Sequence, residues 1–574
     1  MPRASTLLLA ALLASCGTQG VSPRASWNGA FPAGWRFATP RAPVVGRYTM
    51  VSSDHPLASA VGVDVLRQGG NAVDAAVAVG LALAVVHPQA GNLAGGGFLV
   101  YRAADGRSFS LDYREAAPAA ATRDMYLDST GALTDQSLTG ALASGVPGSA
   151  AGLAEMHRRF GRLPWREVVA PAIALARDGF VIDRPRAEEF SRSEERLRRF
   201  PSTVAAFFAA GRSPAAGDTL RQPDLARTLE LLADSGAVAF YHGSIAARIV
   251  TQMQRSGGII TGEDLARYEP KWREPIQATY RGWHIISMPP PSSGGVTLTE
   301  MLNVLEGFHP LPAFGSAELL HLQIEAMRRA FTDRNRYLGD PDFVAMPIEQ
   351  LMSKAYADQL RRGIDPSRAT PSTAMPAIVE GRETTHYSIV DQEGNAAAVT
   401  TTLNDNFGSA LVVDGAGFLL NDEMDDFAAK PGTPNLFGLV QGEANAIQPG
   451  KRMLSAMTPT IVLDSRDRLA MVVGSPGGPT IITAVLQVIS NILDQHMTLP
   501  QAVSAPRIHH QGLPDSVQWE PDGITADQRR ALEAMGHVFR QRPSLLADVN
   551  AVLLTAHGLE GFADPRRGGG AAGW

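Results

Sequence analysis

His386-Tyr387-Ser388-Ile389-Val390 and Ala396-Ala397-Ala398-Val399-Thr400-Thr401-Thr402-Leu403 are two β-rich runs on either side of the turn cluster Asp391-Gln392-Glu393-Gly394-Asn395. The pattern predicts a hairpin, and the segment leading into it is Glu383-Thr384-Thr385. A hairpin centred on Glu393 sets Thr402 opposite Thr384, a register that a single bulge would break. Facing threonines on an antiparallel pair commonly only pack or share a hydrogen bond. Spacing alone therefore leaves a packing role and a catalytic one open.

Outward from the hairpin, 366–382 is rich in Pro, Ser and Thr and reads as an exposed linker. Downstream, 410–413, 459–463 and 468–473 read as strands, and 481–494 as a long buried helix. Upstream, helices alternate with Gly-rich turns: 57–67, 72–86, 150–159, 165–178 and 317–336 carry helical periodicity. Short strands are expected at 98–101 and 108–113, around Asp105-Gly106. The run 72–86 is the most apolar, but it is too short for a span and contains Asp74, which fits a buried core helix. Helices mixed with antiparallel strands predict an α+β architecture with a central sheet.

The 574 residues are 45% hydrophobic and 19% charged, a globular composition. With 51 Lys+Arg against 57 Asp+Glu and no long basic run, nucleic acid is not an expected partner. One cysteine excludes internal disulfides and multi-cysteine metal sites. The sequence lacks a P-loop, an H-E-x-x-H zinc helix and a G-x-S-x-G elbow, and the clusters Gly95-Gly96-Gly97, Gly294-Gly295 and Gly477-Gly478 lack the G-x-G-x-x-G spacing of a dinucleotide turn. His509 and His510 are adjacent, and on a strand they face opposite ways, which argues against a shared metal. At the front, Arg3 and the apolar 7–13 form a short export signal ending in Leu13-Ala14-Ser15-Cys16, which resembles a bacterial lipobox. The expectation is a signal peptide over 1–15, an acylated Cys16, a tether over 16–47, and a periplasmic protein held on the outer membrane.

Other motifs fill the chain: Gly69-Gly70-Asn71-Ala72-Val73-Asp74-Ala75, Asp112-Tyr113-Arg114-Glu115, Pro289-Pro290-Pro291-Ser292-Ser293-Gly294-Gly295 and Tyr337-Leu338-Gly339-Asp340-Pro341. Asn421-Asp422-Glu423-Met424-Asp425-Asp426-Phe427 and Gly474-Ser475-Pro476-Gly477-Gly478 follow. Together with Thr384-Thr385-His386-Tyr387-Ser388, they resemble the γ-glutamyltransferase (γ-glutamyltranspeptidase) family of N-terminal-nucleophile hydrolases, from about Tyr48 to the end. The resemblance implies an αββα four-layer sandwich in which a large subunit (48–383) and a small catalytic subunit (384–574) interlock as one composite domain. It implies autocleavage between Glu383 and Thr384, which frees an α-amine to serve as base for the Thr384 hydroxyl.

The same resemblance makes Thr402 the hydroxyl supporting the nucleophile and Gly477-Gly478 the oxyanion hole. It assigns Arg114 and Ser455 to the substrate α-carboxylate, and Asn404, Glu423 and Asp426 to its α-ammonium. The implied substrates are γ-glutamyl donors such as glutathione, with water, amino acids or peptides as acceptors. The chemistry needs no organic cofactor or metal. Without the resemblance, Arg114-Glu115 reads as a surface ion pair and Glu423, Asp425 and Asp426 as a solvated loop face. The chain departs from the family pattern in three places. Ala456 stands where many relatives have a second serine, and Phe437, in a lid loop over 431–450, where some have tyrosine. Pro479-Thr480 replaces a common Ser-Arg. The alternatives are a cephalosporin (glutaryl) acylase-like amidase and an inactive envelope-binding lipoprotein.

Overall fold

The computed structural model describes residues 27–372, 383–436, 438–541 and 545–574. Cys16, Phe437 and 373–382, most of the expected linker, lie outside the described residues. Two seven-stranded antiparallel sheets stack face to face. Sheet 1 runs Val44–Gly46, Gly558–Ala563, Asn550–Thr555, Leu469–Gly474, Thr460–Leu463, Trp283–Ser287, Ile276–Tyr280. Sheet 2 runs Gly570–Gly573, Met50–Ser53, Glu383–Val390, Ala396–Asn404, Gly96–Arg102, Ser108–Asp112, Lys271–Arg273.

Side-chain alternation divides the apolar residues among three cores. In sheet 2, Phe98, Val100, Ala396 and Ala398 point inward and meet Ile286, Ile461, Val472 and Val552 of sheet 1. Their neighbours Leu99, Tyr101, Ala397 and Val399 point outward under a helical layer that includes Pro56–Arg67, Ala72–Val86 and Trp165–Asp178. Ile285, Val462, Met471 and Ala551 face the opposite helical layer, built on Gly294–Glu306, Ala317–Tyr337 and Thr480–Leu493. The result is the αββα sandwich. Both sheets take strands from both sides of residue 384.

The helix Ala72–Val86 is buried at every residue, so it has no polar face to offer water. It starts with a capping box between Asn71 and Asp74. The buried Asp74 carboxylate also accepts the Arg162 N–H, which accounts for an acid inside an apolar run.

Two expectations need correction. Residues 410–413 are not a strand: Phe407 and Ala410 have φ of +61° and +62°, which curls the chain. Side chains satisfy that backbone instead, Thr203 donating to the Ala410 carbonyl and accepting the Val412 N–H, and Ser202 donating to the Val412 carbonyl. The described part of the tether, 27–47, is packed onto the body. Trp35 is buried with its indole N–H on the Ser504 carbonyl, Trp27 and Phe31 pack on Phe314, and Val44–Gly46 pairs with Gly558–Ala563.

Candidate active site

The hairpin forms in the expected register, with Thr384 opposite Thr402 and Val390 opposite Ala396. The register shifts between Glu383 and Thr384, so Glu383 pairs with Asn404. The one irregularity of the hairpin ladder thus lies at the peptide bond read as the cleavage point, and regular pairing begins at Thr384. A bulge of this kind re-aims the chain where a ladder ends.

Thr384 lines a pocket with Arg114, Thr402, Asn404, Glu423, Asp426, Ser455 and Gly478. The strand Ala396–Asn404 supplies Thr402 and Asn404. Asn404 has φ +85° and donates its amide to the Asp422 carbonyl, while its own N–H reaches Thr402 Oγ1 at 2.8 Å. A left-handed asparagine therefore closes a turn on the Thr402 hydroxyl and turns its side chain toward the pocket.

Arg114 follows the strand Ser108–Asp112 and is 1% exposed. Its guanidinium pairs with Glu423 at 2.5 Å and with Asp426, and Glu115 lies 3.5 Å away. The surface reading of these residues therefore fails: Glu115 and Glu423 are fully buried and Asp425 is 4% exposed. Burial pushes Glu423 well above the usual carboxylate range and Glu115 up to about 8, and it raises Asp426 against the pull of Arg114. Asp425 does not line the pocket. It accepts from Ser137 at 2.8 Å and from the Leu436 N–H at 3.0 Å, and burial pushes it up to about 7.

Gly477 and Gly478 have φ of +128° and +56°. A Cβ on Gly477 would come within 2.6 Å of Thr480 Oγ1 and 3.0 Å of Ala547 Cα, so only glycine fits there. Gly478 lines the pocket and Gly477 does not. The Thr480 hydroxyl donates to the Gly477 carbonyl at 2.7 Å, which supplies a structural role for a residue that sequence reading left unexplained. The helix Thr480–Leu493 starts here, with its positive end toward the turn.

The loop 431–450 is tied to the acidic turn: Gln441 and Asn445 donate to the Asp426 carbonyl at 3.1 and 2.7 Å, and Leu439 enters the pocket wall. Ala456 also lines the wall, so a serine there would add a hydroxyl to the pocket. Sequence reasoning missed Leu439 and Arg334, both pocket-lining.

The histidines are engaged elsewhere. His386 lies between the sheets against Thr400 and Ser388, and burial pushes it down to about 3, so it stays neutral. His509 bonds Thr483 and Gln511, whereas His510 reaches Asp515. His321, Glu325 and His537 cluster away from the pocket. A 2.8 Å ring–ring hydrogen bond and the ion pairs of Glu325 to Arg328 and Arg329 account for that cluster without an ion.

A model of the gamma-glutamyltranspeptidase family matches residues 58–574. The "Glutathione hydrolase proenzyme" of Escherichia coli (strain K12) is 47% identical over 532 residues, 91% of each chain. Among solved structures, a cephalosporin acylase from Bacillus halodurans aligns with TM-score 0.84 at 28% identity, covering 95% of this chain and 99% of that one. The Helicobacter pylori gamma-glutamyltranspeptidase aligns with TM-score 0.55 at 46% identity, covering 55% of this chain and 92% of that one.

Proposed function

This chain belongs to the gamma-glutamyltranspeptidase family, and from that premise we propose that it cleaves itself before Thr384 and then hydrolyses or transfers the γ-glutamyl group of glutathione and related amides. One observation carries the reading: the pocket holding Thr384 also holds two guanidinium groups, two carboxyls, an amide and a serine hydroxyl, which include the set a zwitterionic glutamyl group needs. Thr384 Oγ attacks the Glu383 carbonyl, and hydrolysis of the resulting ester exposes the amine. That amine, with an ordinary pKa of ~7.7–8.0, is partly neutral near pH 7–8 and takes the hydroxyl proton in each later cycle. Attack of Thr384 Oγ on the donor's γ-carbonyl forms a γ-glutamyl-threonine ester as the amide C–N bond breaks and the leaving amine takes the proton back from the Thr384 α-ammonium, and the Gly478 turn stabilises the oxyanion with its N–H groups. Water, an amino acid or a peptide then takes the acyl group.

Arg114 and Ser455 serve the α-carboxylate, and Asn404, Glu423 and Asp426 the α-ammonium. Two carboxyls and an amide beside Thr384 give an α-ammonium partners that a glutaryl group would leave unused, which weighs against a glutaryl acylase despite the Bacillus halodurans likeness. γ-Glutamyl anilides are expected to turn over faster than glutaryl anilides; the reverse order would establish the acylase reading. Denaturing electrophoresis of Thr384→Ala is expected to show one inactive chain, and the wild type two fragments, the smaller beginning TTHYS. Fully active protein without that terminus would overturn the proposal.

The anchor belongs to the same proposal: acylated Cys16 would hold the enzyme in the periplasm on the outer membrane. Cys16→Ala is expected to release active enzyme from membranes, and unchanged membrane association would exclude the anchor.

A further inference from the structure

Arg334 projects from the last turn of Ala317–Tyr337, just ahead of the Tyr337-Leu338-Gly339-Asp340-Pro341 motif. It is 2% exposed, yet it lines the same pocket as Thr384 and Arg114. Nε donates to Ser293 Oγ at 2.9 Å, and Ser293 Oγ donates to the Ser455 carbonyl at 2.6 Å. Nη1 donates to Asn335 Oδ1 at 2.9 Å. The guanidinium is thus fixed to the backbone that carries Ser455 and Ala456.

What it lacks is an anion. Three other arginines with desolvated guanidinium groups sit on carboxylates: Arg452 on Asp112 at 2.6 Å, Arg507 on Asp564 at 2.6 Å, Arg566 on Glu520 at 2.8 Å. Among the described residues, none places a carboxylate within ion-pair distance of Arg334. Burial accordingly pushes it down to about 10, against the pull of Asp426. It remains a cation at neutral pH. A desolvated charge without a partner is expensive to keep, and it faces the space where a substrate carboxylate would arrive. Arg114, by contrast, is already engaged by Glu423 and Asp426.

We propose that Arg334 is a second guanidinium for the α-carboxylate of the γ-glutamyl donor, acting beside Arg114 on the wall where Ala456 offers no hydroxyl. The proposal rests on the γ-glutamyl reading above and assigns a substrate group to a residue outside the expected set. A leaving-group carboxylate is the rival ligand, so the test uses donors whose leaving group has none.

Three anilides separate the charges: γ-glutamyl carries both, glutaryl lacks the ammonium, and 4-aminobutyryl lacks the α-carboxylate. In cleaved Arg334→Gln, kcat/KM is expected to fall about 10-fold or more for the first two, mainly through KM, the scale of one charge-assisted hydrogen bond. The 4-aminobutyryl donor should change less than about threefold, and Arg334→Lys should be intermediate, because it keeps the charge without the fork. Calorimetry should show weaker L-glutamate binding and unchanged 4-aminobutyrate binding. Equal losses on all three donors would make Arg334 structural and overturn the proposal, as would an unchanged γ-glutamyl anilide. If neither variant matures, a structure of the cleaved wild type with L-glutamate decides: carboxylate on Arg334 Nη supports it, carboxylate on Arg114 alone ends it. Wild type inactive on γ-glutamyl anilide would refute the parent reading instead.

Discussion

Thr402 Oγ1 has a backbone duty as well as its proposed support of the nucleophile, because it accepts the N–H of Asn404 at φ +85°. Thr402→Val keeps the volume but leaves that buried donor unmet, a penalty of about 1–3 kcal/mol. It is expected to slow both self-cleavage and turnover, whereas Thr402→Ser, with the acceptor retained, should recover most of each; gels and initial rates on the two variants check this. Asp425 invites a different test. Burial pushes its carboxyl up to about 7, so the folded protein holds a proton that the unfolded chain releases near its ordinary value of 3.8. That contribution is complete at low pH and is lost as pH rises toward and through 7. Asp425→Asn has no proton to lose, so its melting temperature relative to wild type should be higher at pH 8 than at pH 5; a pH-independent difference would refute the assignment.

Among elements, the hairpin and the helix after the glycine turn divide the chemistry. The register was legible because alternating β-rich runs around a five-residue turn leave few ways to pair, and a one-residue slip would have reversed every side chain. The long helices were legible for a similar reason: 72–86 was bounded by Asn71 in front and by loss of apolar character behind, and the structure gives Ala72–Val86. Residues 410–413 look β-rich too, but positive φ at Phe407 and Ala410 overrides local preference through bonds to distant Ser202 and Thr203. No local pattern announces such contacts. The helix Thr480–Leu493 points its N-terminus at the glycine turn, the proposed oxyanion site, and holds it through Thr480 Oγ1 on the Gly477 carbonyl. Thr480→Val preserves shape and removes that tie, so kcat should fall about 10-fold, below the 10²–10³-fold loss of an oxyanion donor itself. A change in KM alone would place Thr480 outside the turn's support.

At the scale of the whole molecule, the legible and illegible parts of the site separate by distance along the chain. Thr384 and Thr402 could be paired by counting, and the acidic motif by its resemblance. Arg334 could not, because in sequence it belongs to a charged helical run, 317–336, and only folding carries it 41 residues back to Ser293 and into the pocket. The same long-range construction governs what cleavage can do. A cut before Thr384 leaves strands of both products in both sheets. Val44–Gly46 remains paired with Gly558–Ala563, and Trp283–Ser287 with Thr460–Leu463. In sheet 2, Met50–Ser53 keeps its two partners Gly570–Gly573 and Glu383–Val390, and Gly96–Arg102 keeps Ala396–Asn404. Neither product contains a complete sheet, and the middle core draws Met50, Phe98 and Ile286 from one and Ala398, Val472 and Val552 from the other. Separation would expose ladder edges and apolar faces together, which couples the two chains into one cooperative unit. The cleaved protein should therefore elute as a single species of the uncut mass and lose both fragments' structure in one urea transition. Fragments purified apart in denaturant should not fold singly on dilution. Two resolved transitions, or a native small fragment, would show that the cut divides the molecule into independent bodies and would remove the interlocked sandwich as the scaffold of the site.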